Sequence, residues 1–190
     1  RMARFLSRRK FAASLTAMSL MLTGCSGGFD TGIGDIFTEK QPLPCPSVSV
    51  LPNADSITIF QEGPGRDLVD VLYEGVIAPV SGECLYENDD TELLVELILR
   101  IGAIKGPAAR SQTQEFPFFV AIADPDKRIL NKKVLISPIE VGEGRRRGAV
   151  QEEIFQRIPL PAGRTGRNYT IVLGFQLTQE QLEYNRKEAN

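Results

Sequence analysis

From Val48 onward, apolar side chains recur at every second position in runs separated by Gly, Pro, Asn and Asp, which is the period of half-buried strands. Val48–Leu51 and Ser56–Phe60 are short and β-branched, with Pro52-Asn53 as the turn between them. Asp70–Ile77 and Gly82–Tyr86 read as a pair of strands joined around Pro79–Gly82. Thr91 to Ile104 alternates Leu93, Val95, Leu97, Leu99 and Ile101 against Leu94, Glu96, Ile98 and Arg100, and predicts one long strand that Gly102 and Gly106-Pro107 bring to an end. Phe116 to Ala123 is apolar nearly throughout, which predicts a buried strand stopped by Asp124-Pro125-Asp126. Arg128–Ser137 and Gly148–Leu160 repeat the pattern, the latter through Ile154, Phe155 and Ile158. Asn168 to Leu177 is the clearest strand, with Tyr169, Ile171, Leu173, Phe175 and Leu177 on one face. Thr178-x-x-Gln181 then fits a capping box opening a helix from Gln179 to about Glu188. Short strands in succession with Gly/Pro turns predict a mainly β fold: an antiparallel, immunoglobulin-like β-sandwich with a short C-terminal helix.

The first residues follow a different pattern. Arg4, Arg8, Arg9 and Lys10 precede an apolar run from Phe11 to Leu22, too short for a permanent membrane span and laid out as a secretory signal peptide. Leu22-Thr23-Gly24-Cys25 resembles the bacterial lipobox. The resemblance implies cleavage before Cys25, a diacylglycerol on its thiol and an acylated amine, a firmer anchor than one chain provides. Ser26 after the cysteine implies, by the same resemblance, sorting to the outer membrane with the domain facing the periplasm. The expected organisation is a lipoprotein signal peptide over 1–24, a lipidated cysteine and flexible tether over 25–44, and a β-sandwich domain over 45–190. Stretched out, the Gly-, Asp- and Pro-rich tether reaches about 60–65 Å. Within it Gly32 to Phe37 is either plain spacer or a short segment that orders on a partner.

Charge and cysteine content sharpen this picture. The chain holds 22 basic and 24 acidic residues, and five of the basic ones (Arg1, Arg4, Arg8, Arg9, Lys10) precede Cys25, so 17 face 24 in the mature form, a formal charge of −7. A net acidic, exported domain is a poor nucleic-acid binder. With Cys25 lipidated, Cys45 and Cys84 remain as an even pair in an oxidising compartment and are expected to form a structural disulfide. They lack the close Cys-x-x-Cys spacing of a redox site.

Candidate chemistry is sparse. The chain has no histidine, which excludes Ser–His and Cys–His nucleophile systems and imidazole metal sites. Glu83, Glu87, Asp89 and Asp90 cluster in a turn and read as a solvated group, although two carboxylates alone suffice for glycoside hydrolysis. Asp124-Pro125-Asp126 lacks the further ligands of a calcium loop, and Gly63-Pro64-Gly65 and Gly142-Glu143-Gly144 match no phosphate-binding fingerprint. No cofactor is implied. One local charge stands out: Arg145, Arg146 and Arg147 sit in a loop of an otherwise acidic domain, with Arg164 and Arg167 in the next. They form either a solvated hairpin tip or a docking point for an acidic surface or anionic headgroups.

A wider likeness runs through Cys45-Pro46, Gly82-x-Cys84-x-Tyr86, Gly106-Pro107-Ala108, Phe118 to Ile122 with Ile129-Leu130-x-Lys132, and Gly174 to Leu177 with Glu183 to Arg186. In these residues the chain resembles an alphaproteobacterial outer-membrane lipoprotein family, the BamF-type accessory lipoproteins of the β-barrel assembly (BAM) machinery. The resemblance implies a non-catalytic scaffold or binding subunit in outer-membrane protein assembly, with protein partners in an envelope complex. The other function classes left open by the residues are an envelope enzyme and a ligand- or peptidoglycan-binding lipoprotein.

Overall fold

The computed structural model describes residues 43–189; the signal peptide, Cys25, the Gly32–Phe37 segment and all but the last two positions of the tether lie outside them. Nine strands and one helix follow in order: β1 (Ser47–Val50), β2 (Ser56–Phe60), β3 (Val71–Ile77), β4 (Ser81–Glu87), β5 (Glu92–Lys105), β6 (Thr113–Ala123), β7 (Ile129–Glu140), β8 (Arg147–Pro159), β9 (Thr170–Phe175) and α1 (Gln179–Glu188).

They form two sheets packed as a sandwich. The first has the order β1-β9-β6-β7, and the second joins β2 to β3, β3 and β4 to β5, and β5 to β8. Pairing is antiparallel except that β1 runs parallel to β9. The strands form where the alternation is strictest. Along β5, Leu93, Leu97, Leu99 and Ile101 are wholly buried while Glu96 and Arg100 face solvent, so a slip of one residue would put the whole apolar row in water. Each such side chain contributes roughly 1.5–3 kcal/mol on burial.

The expected β3–β4 hairpin is not what forms. The two strands lie end to end along one edge of β5, β3 against Ile101–Lys105 and β4 against Glu92–Ile98. Between them Ala78, Pro79 and Val80 face only Leu99 and Arg100, and the Ala78 amide donates to the Arg100 carbonyl at 2.9 Å, carrying the ladder across the break. Pro79 has no amide to give, so the ladder is interrupted there rather than turned back. The other edge of β5 is paired with β8 along its length, from Glu92 to Ile104.

The interior is bridged by three aromatic rings. Tyr73 of β3 meets Phe116 of β6 edge-on with centroids 6.4 Å apart, and Phe116 lies 6.0 Å from Phe175 of β9. Gly75 lies directly beneath: a Cβ there would come within 2.7 Å of the Phe116 ring. On one side of the sandwich, the Ser137 hydroxyl of β7 donates to the Glu152 carboxylate of β8, linking the two edges. On the other, α1 covers the β2 edge. Its capping box forms as expected, with the Gln181 amide on the Thr178 hydroxyl and the Thr178 amide on the Gln181 side chain. Tyr184 packs edge-on against Phe60 at 5.1 Å, and the Asn185 amide donates to the carbonyls of Asn53 and Ser56.

Candidate docking surfaces

Where the chain joins the domain, three links hold it. Cys45 and Cys84 are disulfide-bonded, fastening the segment before β1, on the first sheet, to β4 on the second. The Tyr86 hydroxyl donates to the Pro44 carbonyl at 2.6 Å and accepts the Gly166 amide at 2.7 Å. Gly166 is small of necessity, since a Cβ would sit 2.4 Å from the Pro44 carbonyl oxygen.

Arg145 and Arg146 lie in the connection from β7 to β8, and Arg147 opens β8. This is a crossing from the first sheet to the second, not the tip of a hairpin, because β7 and β8 belong to different sheets. The crossing is shaped by backbone bonds: Val141 donates to Gln112, Arg145 to Gly142, and Lys105 to Arg146. All three arginine side chains are exposed, and none makes an ion pair among the described residues. Cys84 pairs with Val95, and Arg147 with Ile104, so nine positions of β5, about 30 Å, separate the disulfide from the arginine loop. Arg164 and Arg167 lie beside Gly166, at the end where the chain joins; the two basic loops are not brought together.

Of the acidic group, Glu83 lies within β4 opposite Glu96 and not in the turn, and the rest has a structural explanation. Glu87 pairs with Arg157 at 2.8 Å, and Asn88, Asp89 and Asp90 take left-handed backbone angles that build the β4–β5 turn. Asp124 shapes the β6–β7 turn by accepting the amides of Asp126 and Arg128 and the Arg128 guanidinium. Desolvation pushes the Asp124 carboxyl upward, but the Arg128 hydrogen bonds and charge and the Asp126 amide outweigh it and leave its pKa lowered. A carboxylate with a depressed folded pKa stabilises the turn fully above the unfolded value of about 4, and that contribution is lost as pH falls through the lower folded value. Amide exchange of Arg128, followed by NMR, should therefore quicken relative to the sheet core on acidification below about pH 4, and Asp124→Asn should abolish that dependence. Among the described residues no group of three or more Asp, Glu, His or Cys side chains is placed to hold a metal ion. A groove of about 500 Å³ between β2 and α1 is lined by Phe60, Arg66 and Glu180, and the last two close on each other at 2.6 Å.

One surface was not singled out by sequence reasoning. The outer face of the first sheet is apolar. Register places Phe119 between Val134 and Gly174, Ala121 between Lys132 and Val172, and Ala123 between Ile129 and Thr170. From Phe119 to Ala123 β6 is thus buried on both faces, this part of its outer row reaching 8 % exposure at most, although Glu115 nearer its start is exposed, while around it Leu51, Ile129, Val134 and Ile136 stand 45–60 % exposed. Leu51 and Ile129, with Lys127 and Lys132, border a concavity of about 580 Å³, and the Lys132 ammonium sits 4.6 Å above the Phe119 ring. The sequence places Val134 and Ile136 on one row of β7 and Lys133 and Leu135 on the other, and leaves open which row faces out. Comparison with protein families, curated proteins and solved structures finds no match to this chain.

Proposed function

We propose that this protein is a non-catalytic, lipid-anchored scaffold of the outer membrane's periplasmic side, holding a partner in the assembly of β-barrel proteins. One observation carries the reading: the chain joins the domain at one end, and an exposed, unpaired arginine triplet stands about 30 Å away at the other. Anchored through Cys25, such a domain has a fixed end and a free end. The domain is net acidic, while Arg145–Arg147 attract an acidic partner at the end away from the anchor, so charge favours an encounter there. The likeness to BAM accessory lipoproteins supplies the class of partner, and the lipobox supplies the compartment.

The test is affinity purification of the tagged, lipidated protein from detergent-solubilised envelopes. The barrel-assembly core should come with it in stoichiometric amount. At about 0.5–1 kcal/mol for each exposed charge contact, changing all three arginines to alanine should weaken that association roughly tenfold to a hundredfold. A protein recovered alone, or a triple variant that keeps its partners, overturns the reading.

A further inference from the structure

We infer a second docking surface, for an anionic phospholipid bilayer, on the β6–β7 hairpin and the outer face of the first sheet. Three observations meet there. The first is exposed apolar area without a cover. Ile129, Leu130, Val134 and Ile136 are each 50–60 % exposed on one strand, and the whole of β7 from 129 to 134 is exposed, standing free of the second sheet. Apolar side chains on a freestanding ribbon, with no walls around them, suit a fluid interface better than a preformed protein pocket. β7 is also poorly made for accepting a partner strand: Lys132, Lys133 and Pro138 lie along it, the devices that blunt an edge against pairing.

The second is charge. Between Asp126 and Glu140 the chain has four basic residues (Lys127, Arg128, Lys132 and Lys133) and no acidic one, in a domain that is otherwise net acidic. Arg128 is engaged by Asp124, but no ion pair involves the three lysines among the described residues. Apolar side chains with interspersed lysines match an anionic headgroup layer over acyl chains, where each cation near the surface adds attraction. The concavity floored by Phe119, Ala121 and Val172, with Lys127, Lys132 and the Arg128-paired Asp124 on its border, is within the size range of small-molecule sites and gives one acyl segment a place to lie under a phosphate held by the lysines.

The third is position. Ala123 pairs with Thr170, and Thr170 with Ser47, so the β6–β7 turn lies two strand spacings, about 10 Å, from where the chain joins the domain. The arginine triplet is at the far end. A membrane bound to the β6–β7 hairpin therefore leaves Arg145–Arg147 pointing away from it, and the two surfaces act independently.

The chain contains no tryptophan, so one introduced tryptophan is an unambiguous reporter. Leu130→Trp and, as a control on the outer face of the second sheet, Phe155→Trp are prepared in the full chain as cells produce it. Each is added to vesicles of phosphatidylcholine with or without phosphatidylglycerol, with brominated acyl chains as quencher. With phosphatidylglycerol present, the tryptophan at 130 should shift to the blue and be quenched, and the one at 155 should not. Changing Lys127, Lys132 and Lys133 to glutamine should lower the ratio of bound to free hairpin about fivefold for each lysine removed. Equal quenching at 130 and 155, or quenching at 130 that ignores both phosphatidylglycerol and the lysines, overturns the inference. So does a blue shift of the purified protein's tryptophan at 130 that brominated lipid fails to quench, which would mean that protein covers the face.

Discussion

Changing both Cys45 and Cys84 to alanine should lower the unfolding free energy by about 4 kcal/mol, which in a domain of this size moves the melting temperature down by about 8–16 °C. The bridge closes a loop across a sequence separation of 39, and the chain-entropy view assigns most of its effect to the unfolded state, which loses the freedom to open that loop. The folded domain retains other ties at the same place. Tyr86 still holds the Pro44 carbonyl and the Gly166 amide, so the reduced domain should remain folded at moderate temperature, with weakened rather than absent anchorage of β1. Thermal or urea unfolding of the wild type with and without reductant, beside the double variant, checks this. Coincident curves for all three would show that the bridge contributes nothing.

Phe116→Ala should cost about 3–5 kcal/mol, because it empties the centre of the sandwich where the two sheets meet. Phe116 is wholly buried and touches a ring on either side, Tyr73 from the second sheet and Phe175 from the first. Gly75 opposite has no side chain that could swing in, and the Tyr73 hydroxyl is committed to the Ser111 carbonyl at 2.6 Å. Relaxation therefore leaves the cavity unfilled. Against a total of about 5–15 kcal/mol for a typical domain, the loss leaves a narrow margin. Combined with reduction of the disulfide, it should unfold the protein at ordinary temperature. Urea unfolding of Phe116→Ala, oxidised and reduced, gives both numbers, and a change below about 1 kcal/mol would contradict the central placement of this ring.

The strands were legible because their apolar residues keep period two over long stretches. β5 and β9 show this best: Leu93 to Ile101 and Tyr169 to Phe175, each placed on one face by alternation, are buried, while Leu177, expected on the same face, lies past the end of β9 and is half-buried. The helix was legible from its cap, Thr178 and Gln181. Pairing was not legible, because period two fixes which face a residue takes and leaves the neighbour open. Asp70–Ile77 and Gly82–Tyr86 flank a turn-like Pro79 and so read as a hairpin, yet β5 is long enough to hold both on one edge. The same limit hid the sheet change between β7 and β8, and with it the setting of Arg145–Arg147. The disulfide was legible from the count of cysteines together with the oxidising compartment that the first residues lead one to expect. The apolar outer face was not, since a strand that is apolar on both sides, as Phe116 to Ala123 is, reads simply as buried until its neighbours are known.

The disulfide also decides how the domain bears a load. β1 is four residues long and joins its sheet through one parallel pairing with β9, so few hydrogen bonds would resist a pull on it. Tension arriving from upstream does not reach it first. At Cys45 the force passes covalently to Cys84, in the middle of β4, which is hydrogen-bonded to β5 from Ser81 to Glu87. Those bonds share the load together, and β5 passes it to β8 on its other edge. The weakest strand of the fold is thereby taken out of the line of tension, and the stress falls on the widest part of the second sheet.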